Sequence, residues 1–197
     1  YEPELLKWLY LRKRPDHAFS LAFDSEIYRQ YDEYDREKGG NPIPMKQVVA
    51  LGQITQWSED KIENLLQDLG ENYDKESIRS RLPKAKNWLE KYNPSEAIKL
   101  RDSVNGEYAE TMNEKSKEQV RKLGEELKKK YDSVEALEKL IYSIPKDEKL
   151  SDKDNAPAQK TFFKHLYNLL IDKDAGPRLS TFLWAVDRGK VLELLNV

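Results

Sequence analysis

The sequence predicts an all-α protein, and three observations support this prediction. Leucine occurs 25 times, whereas valine occurs 8 times and threonine 4 times, so the β-branched enrichment typical of strands is missing. Apolar residues recur three and four positions apart, as at Leu5, Leu6 and Leu9. Charged residues make up 36% of the chain, against about 25% in an average soluble domain. This pattern is typical of amphipathic helices with broad polar faces.

Capping and stop signals set the bounds of the predicted helices. Starts are indicated by Pro3, Ser58, Asp74, Pro94 and Ser133, and ends by Gly39, Gly40, Gly70 and Pro145. The predicted helices span residues 3–14, 24–39, 45–54, 58–69, 74–92, 94–100, 113–130, 133–144, 158–171, 177–186 and 190–195. Pro83 either kinks the helix over 74–92 or opens a new one. The charged stretch 146–155 is predicted to be an internal linker.

The composition excludes several classes of protein. The chain has no cysteine, so it has no disulfides, thiolate metal sites or cysteine nucleophiles, and this usage suits a reducing, cytoplasmic location. No apolar run approaches the roughly 20 residues that a membrane-spanning helix needs. The net charge of −2 is unusual for a nucleic-acid binder, which normally shows a basic footprint.

Charge is nevertheless unevenly distributed along the chain. Residues 75–101 contain eight basic and three acidic side chains, a net charge of +5, whereas residues 59–74 contain six acidic side chains and one lysine, a net charge of −5. This asymmetry has two interpretations: one basic face for a polyanion, or the ordinary solvated surfaces of charged helices.

No catalytic or metal-binding constellation is evident in the sequence. The two histidines, His17 and His165, are far apart and lack a partner at helical spacing, so both are interpreted as surface or boundary residues. The acidic cluster Asp32, Glu33 and Asp35 has two interpretations: a functional site built from carboxylates, or the solvated face of a helix. The spacing favours the solvated face. No glycine-rich phosphate loop is present. The sequence therefore predicts a binding function, with no catalytic residue, metal or cofactor in this chain.

Several stretches resemble one protein family. Residues 1–36 read YEPELLKWLYLRKRPDHAFSLAFDSEIYRQYDEYDR, and residues 140–195 contain LIYSIPK, QKTFFKHLYNLLIDKDAGPRLSTFL and KVLELL. The most specific piece is GPRL following FF-x-x-LY-x-LL, and the middle segment KESIRSRLPKAKNWLEKYNP is similar more loosely. Together they resemble the C-terminal half of class I lysyl-tRNA synthetases of the bacterial type, over nearly the whole chain.

The resemblance implies a fold and a role in a larger enzyme. In that family a nucleotide-binding catalytic domain with HIGH-like and KMSKS signatures comes first, and a helical region that reads the tRNA follows. Neither signature occurs here, so we expect the chain to start just past the KMSKS loop, with ATP and Mg bound by the missing domain. The implied segments are the tail of a helical stem-contact (connecting) segment over 1–41 and two anticodon-binding subdomains over 42–145 and 146–197. The implied cage is similar in fold to that of glutamyl-tRNA synthetases.

An anticodon-binding module reads unpaired bases by stacking and hydrogen bonding and holds phosphates with basic side chains. Pro177 is predicted to place Arg178 in the first turn of a helix, where a cation needs an anionic partner. That partner is an RNA phosphate or base, or else Asp172 or Asp174. Lys160 and Lys164 are predicted phosphate contacts on the outward face of the preceding helix. Trp184 is the predicted exposed aromatic residue.

The remaining candidate tRNA contacts lie in the basic segment: Arg79, Arg81, Lys84 and Lys86. We expect the partner to be a lysine-specific tRNA, with no DNA or membrane partner, and the chain to be a monomer. The alternative function is a helical protein–protein interaction (adaptor) module, whose charged faces are solvated and whose apolar groove holds a partner helix.

Overall fold

The computed structural model of the chain describes residues 1–12, 14, 16, 21 and 23–197. Within these residues all regular structure is helical, with eleven α-helices, one 3₁₀ turn and no strand, which confirms the predicted all-α class. The chain forms two compact units, Tyr1–Ala97 (unit 1) and Ile98–Val197 (unit 2). None of the described helices has the length and apolar character that crossing a membrane requires.

Unit 1 contains five α-helices: α1 (Pro3–Leu11), α2 (Glu26–Lys38), α3 (Met45–Ile54), α4 (Glu59–Asp68) and α5 (Lys75–Tyr92). Its core lies around the contact between α3 and α5, where Val48 and Ala85 are fully buried. Pro83 lies inside α5, which continues to Tyr92 as one helix, so no new helix opens there. The predicted glycine stops are confirmed, because Gly39 and Gly70 adopt φ angles of 75° and 68°.

Unit 2 contains six α-helices: α6 (Gly106–Glu110), α7 (Glu114–Leu127), α8 (Val134–Ser143), α9 (Asp152–Ile171), α10 (Leu179–Ala185) and α11 (Arg188–Leu194). The long helix α9 contacts α6, α7 and α11, and buries Phe162 and Leu166. Five of these helices begin with a side chain that accepts a backbone N–H: Asn105, Asn113, Ser133, Ser151 and Asp187. These caps satisfy donors that the first helical turn leaves unpaired.

The helix predicted over residues 94–100 is wrong. Only a 3₁₀ turn, Pro94–Glu96, forms there, and Ala97 is already extended at φ −60° and ψ 137°. Further along, the Arg101 N–H donates to the Leu170 carbonyl at the end of α9, at 2.9 Å. That bond across the fold replaces the local helical hydrogen bond, so tertiary pairing overrides the apolar spacing on which the prediction depended.

The linker predicted over residues 146–155 is also wrong. Asn155 is almost fully buried, its Nδ2 donates to the Asp147 and Leu150 carbonyls at 3.0 and 3.2 Å, and its Oδ1 accepts the Asp147 N–H at 2.8 Å. Helix α9 begins at Asp152, six residues before the predicted start, with Ser151 as its cap. The stretch is therefore a hydrogen-bonded turn and the first part of a helix.

The two compact units divide the chain differently from the predicted segments. The boundary predicted after residue 41 lies inside unit 1, and the boundary predicted after residue 145 lies inside unit 2. The roles assigned to segments 1–41, 42–145 and 146–197 stay predictions. Helix α6 was missed entirely, because its five residues are too short to show an apolar period.

Candidate nucleic-acid interface

Three lysines form a row along the exposed side of α9. Lys153, Lys160 and Lys164 are separated by seven and four residues, which places them within about 40° of one another on a regular helix. All three are exposed, whereas Phe162 and Leu166 on the opposite side are buried. This lysine row confirms that residues 160 and 164 face outward and adds a third cation to them.

An aromatic pair flanks the lysine row on one side. The rings of Tyr142, on α8, and Phe163, on α9, meet edge to face with centroids 4.9 Å apart. Gln159 Nε2 donates to the Tyr142 carbonyl at 3.4 Å. Tyr142 is 43% exposed, so this pair presents a ring to solvent beside the row.

A second ring pair flanks the row on the other side. The Tyr108 hydroxyl and His165 Nδ1 are 3.0 Å apart, and the ring centroids are 5.8 Å apart at 60°. Both residues are half-buried. Burial, with a smaller effect from Lys164, lowers the pKa of His165 below its ordinary value. Burial raises the pKa of Tyr108, so both rings are neutral near pH 7.

The last turns of α9 carry a polar network next to this second pair. Lys164 Nζ is 2.8 Å from Asp174 Oδ2, and Asn168 Nδ2 donates to Asp174 Oδ1 at 3.0 Å. The hydrogen bond and charge of Asp174 raise the pKa of Lys164, and Lys164 in turn lowers the pKa of Asp174. The Lys164 side chain remains half exposed, at 50%. Solvent screens a surface pair of this kind, so it contributes little to folding.

Arg178 precedes the first residue of α10 and is its N-cap, rather than part of the first turn as predicted. Its guanidinium donates two hydrogen bonds to Glu138 on α8. Nε donates to Oε1 at 3.1 Å, and Nη2 donates to Oε2. The structure thus pairs Arg178 with Glu138, whereas Asp172 pairs with Arg101 and Asp174 with Lys164. The Arg178 side chain is still 57% exposed.

Trp184 was predicted to be exposed, and the structure places it on α10 as a half-buried side chain. It is therefore less accessible to a stacking base than Tyr142. Two aromatic residues of α9 differ in burial: Tyr167 is buried and its hydroxyl donates to the Pro177 carbonyl at 2.5 Å, whereas Phe163 is half-buried.

The basic segment of unit 1 does not form one basic face. Arg79 Nε donates to Glu59 on α4 at 2.6 Å, and Lys75 lies 2.5 Å from Glu63 on the same helix. The acidic stretch and the basic stretch of the sequence therefore partly neutralise each other. Lys84 is half-buried and donates to the Ser80 carbonyl at 2.5 Å. The remaining predicted contact, Lys86, is exposed and lies 4.0 Å from Glu90.

The structure corrects the placement of Arg81, which was predicted on an accessible surface. Its side chain is 3% exposed and lies over the ring of Tyr31, 4.8 Å from the ring centroid. Its guanidinium donates to Asp35 through two nitrogens and to the Ile43 carbonyl at 2.6 Å. Phosphates cannot reach this group without unfolding unit 1, so Arg81 has a structural role.

Comparison with known proteins gives a consistent result. No protein-family profile matches the chain. The lysine–tRNA ligase of Streptomyces coelicolor is 30% identical, in an alignment covering 99% of this chain and 41% of the enzyme. Those of Thermococcus kodakarensis and Borreliella burgdorferi are 28% and 25% identical, covering 100% and 93% of this chain and 43% and 40% of the enzymes.

The chain is similar, over nearly its whole length, to part of these lysine–tRNA ligases. It spans about two fifths of the length of the curated relatives it matches. The resemblance to lysyl-tRNA synthetases is confirmed, and so is the all-helical fold expected for the matching region.

Sequence reasoning missed three residues of this candidate interface. Tyr108 lies on α6, the helix that was not predicted. Lys153 precedes the predicted start of α9, although its spacing of seven residues from Lys160 is a detectable signal. Tyr142 lies off the buried stripe of α8 that contains Leu137 and Ile141, and this offset is the signal that identifies it as an exposed aromatic residue.

The histidines and the acidic cluster, which the sequence places outside any functional site, have mixed outcomes. Glu33 pairs with Arg12 at 2.7 Å on the outer side of α2, whereas Asp35 is turned inward to Arg81, so the acidic cluster is not a uniform solvated face. His165 is a boundary residue, as predicted, and His17 lies outside the described residues. Among the described residues no group of three or more histidine and carboxylate side chains has the geometry to hold a metal ion.

Proposed function

We propose that the chain is the tRNA-binding, anticodon-recognising region of a class I lysine–tRNA ligase, and that it binds lysine-specific tRNA without doing chemistry itself. The observation that carries this proposal is the alignment of the whole chain with about two fifths of lysine–tRNA ligases. Attachment of lysine, with ATP and Mg, belongs in this proposal to the part of the enzyme that the chain does not cover, and the enzyme acts in the cytoplasm.

The surface of unit 2 supports the proposal. Single-stranded RNA binders combine cations that follow the phosphate backbone with aromatic rings on which bases stack. The lysine row (Lys153, Lys160 and Lys164) supplies the cations, and the ring pairs on either side of it supply aromatic surfaces. Arg178 adds a half-exposed guanidinium held by Glu138. Unpaired anticodon bases match this arrangement better than the stacked bases of duplex DNA.

The test is a salt series of binding measurements with the full chain. A lysine tRNA transcript and an unrelated tRNA transcript of equal length are compared from low to moderate salt. We expect tighter binding of the lysine tRNA and a salt dependence that reports phosphate contacts. The double variant Lys160→Gln/Lys164→Gln should weaken binding and reduce the salt slope by about 0.7 per lost phosphate contact.

Lys122→Gln is the matched control, because Lys122 is an exposed lysine of the same unit on a different helix, α7. It should leave affinity and slope unchanged. No tRNA binding even at low salt, together with capture of protein partners by the chain, would favour the adaptor function instead. Sedimentation of the free chain tests the expected monomer.

A further inference from the structure

The ring pair of Tyr108 and His165 is held in place by a set of partly buried hydrogen bonds. Asn105 is buried, and its Oδ1 accepts the Tyr108 N–H at 3.3 Å at the start of α6. Its Nδ2 donates to the Asn168 carbonyl at 3.1 Å and to Asp172 Oδ1 at 3.2 Å. One side chain therefore fastens α6 to the end of α9, which fixes the position of the Tyr108 ring relative to His165.

The orientation of the two rings is fixed as well. The 3.0 Å contact between the Tyr108 hydroxyl and His165 Nδ1 restrains both rings. Neither ring is part of the buried core, since both remain half-exposed. A ring that is restrained before a ligand arrives loses little conformational entropy when a flat partner stacks on it.

Polar groups of both signs lie next to the rings. Lys164, adjacent to His165 in the chain, is held by Asp174, and Asp174 is held in turn by Asn168. At the pair Tyr142–Phe163, by comparison, the Gln159 amide donates to the Tyr142 backbone carbonyl. The second ring pair thus combines an aromatic surface with an ammonium group, a carboxylate and an amide, which are the donors and acceptors that a base edge and its phosphate require.

We propose that Tyr108 and His165 form a stacking platform for one unpaired nucleobase of the bound RNA, with Lys164 at the neighbouring phosphate. The inference rests on the proposed tRNA-binding function and assigns one base to one place on the surface. His165 contributes its ring to the stack, and Tyr108 holds that ring in position through the shared hydrogen bond.

The experiment is a double-mutant cycle between protein and RNA. The probes are RNA stem–loops. One has the intact anticodon loop sequence of a lysine tRNA, and in each of the others one loop base is replaced by an abasic site. Affinities are measured for the full chain and for His165→Ala. A stacked base typically contributes a factor of about 5 to 150, on the order of 1–3 kcal/mol, to binding.

We expect His165→Ala to weaken binding of the intact stem–loop by about tenfold. At one loop position the abasic site should cause a similar loss, and combining the two changes should cause no further loss, because each removes the same contact. His165→Phe, which keeps a ring, should bind nearly as well as the wild type. Tyr131→Ala, which changes a half-buried tyrosine bound to Glu126, is the control and should show independent effects at every position.

Each other outcome is decisive. In one outcome the wild type binds the stem–loop, while the losses from His165→Ala and from each abasic site add up at every loop position. That result would overturn the platform and leave the proposed function intact. Equal weakening by His165→Ala and His165→Phe would show that the ring itself does not stack, and would overturn the platform too. No binding of the stem–loop or of whole lysine tRNA by the wild type would overturn both. If His165→Ala melts at a lower temperature than the wild type, the cycle is repeated with Tyr108→Phe, which keeps the aromatic ring at position 108. The proposal then requires the same non-additivity between Tyr108→Phe and one abasic site.

Discussion

Arg81 and Asp35 form an ion pair with two contacts inside unit 1, although they are 46 residues apart in the sequence. Arg81 Nη1 is 2.8 Å from Asp35 Oδ2, and Arg81 Nη2 is 2.5 Å from Asp35 Oδ1. The same guanidinium reaches Glu2 at 3.4 Å and donates to the Ile43 carbonyl. One side chain of α5 thus connects α1, α2 and the segment before α3.

Removing the Arg81 guanidinium should destabilise unit 1 strongly. Arg81→Ala leaves Asp35 with an uncompensated, mostly buried charge, and such losses cost about 3–5 kcal/mol of unfolding free energy. Arg81→Lys should also destabilise, because an ammonium group cannot make both contacts. Arg79→Ala, at an exposed arginine two residues away, is the control, and we expect it to change the unfolding free energy only slightly, because substitutions on an exposed surface are usually tolerated. Urea unfolding measures all three, and an Arg81→Ala effect as small as the control would refute the structural role.

Arg178→Ala should affect RNA binding more than stability. Loss of a charge-assisted contact to RNA should weaken binding of lysine tRNA by about 1–3 kcal/mol. The melting temperature should change little, because the pair with Glu138 is half exposed and such pairs contribute about 1 kcal/mol or less. Arg178→Lys should recover only part of the affinity, since it lacks the planar fork.

The opposite result for Arg178 has a definite interpretation. A marked fall in melting temperature with unchanged tRNA affinity would mean that Arg178 acts through contacts within the protein and not through RNA. A double-mutant cycle of Arg178→Ala with Glu138→Ala then measures that pair.

His165 should make the stability of the chain depend on pH. Its pKa in the folded state lies below the ordinary value of 6.5 because burial disfavours the imidazolium. The unfolded chain therefore binds a proton more readily than the folded chain does. As a result, the stability of the folded state falls as pH drops below about 6.5 towards the lower pKa of the folded state. His165→Gln removes this contribution. The measurement is the unfolding free energy of both chains at pH 7.5 and 5.5, and an equal pH dependence in the two would contradict the prediction.

Asn155 should be essential to the turn that precedes α9. Asn155→Ala leaves the Asp147 N–H without its acceptor and removes the bonds to the Asp147 and Leu150 carbonyls. Unsatisfied buried groups of this kind cost about 1–3 kcal/mol each. Lys153→Ala, at an exposed position two residues away, is the control. Protease digestion should cut the Asn155→Ala variant between residues 146 and 155 faster than either the wild type or the control.

The sequence predicts the local features of this fold well. Ser58 and Ser133 begin helices as predicted because a cap acts within three residues of itself, and Gly70 ends one for an equally local reason. The outward direction of Lys160 and Lys164 follows from helical spacing alone.

Features that depend on distant partners could not be predicted. The hydrogen bond from Arg101 to Leu170 lies where a helix was predicted. Arg81 is buried in an ion pair with Asp35. Arg178 pairs with Glu138, which is 40 residues away in the sequence. Each of these contacts joins residues that no periodicity or spacing relates. The same holds for the Tyr108–His165 pair, which exists because Asn105 fastens α6 to α9.

The measurement that tests the central claim most directly is the affinity of the full chain for lysine tRNA transcripts altered in the anticodon. Lysine codons require U at the second and third positions of the anticodon. Each of these two bases is changed in turn, and affinity is measured at moderate salt. Because lost stacking or bidentate contacts weaken binding, we expect a loss of about 1–3 kcal/mol for each change. Equal affinity for the normal and altered transcripts, and for an unrelated tRNA, would leave only non-specific electrostatic binding and would contradict anticodon recognition by this chain.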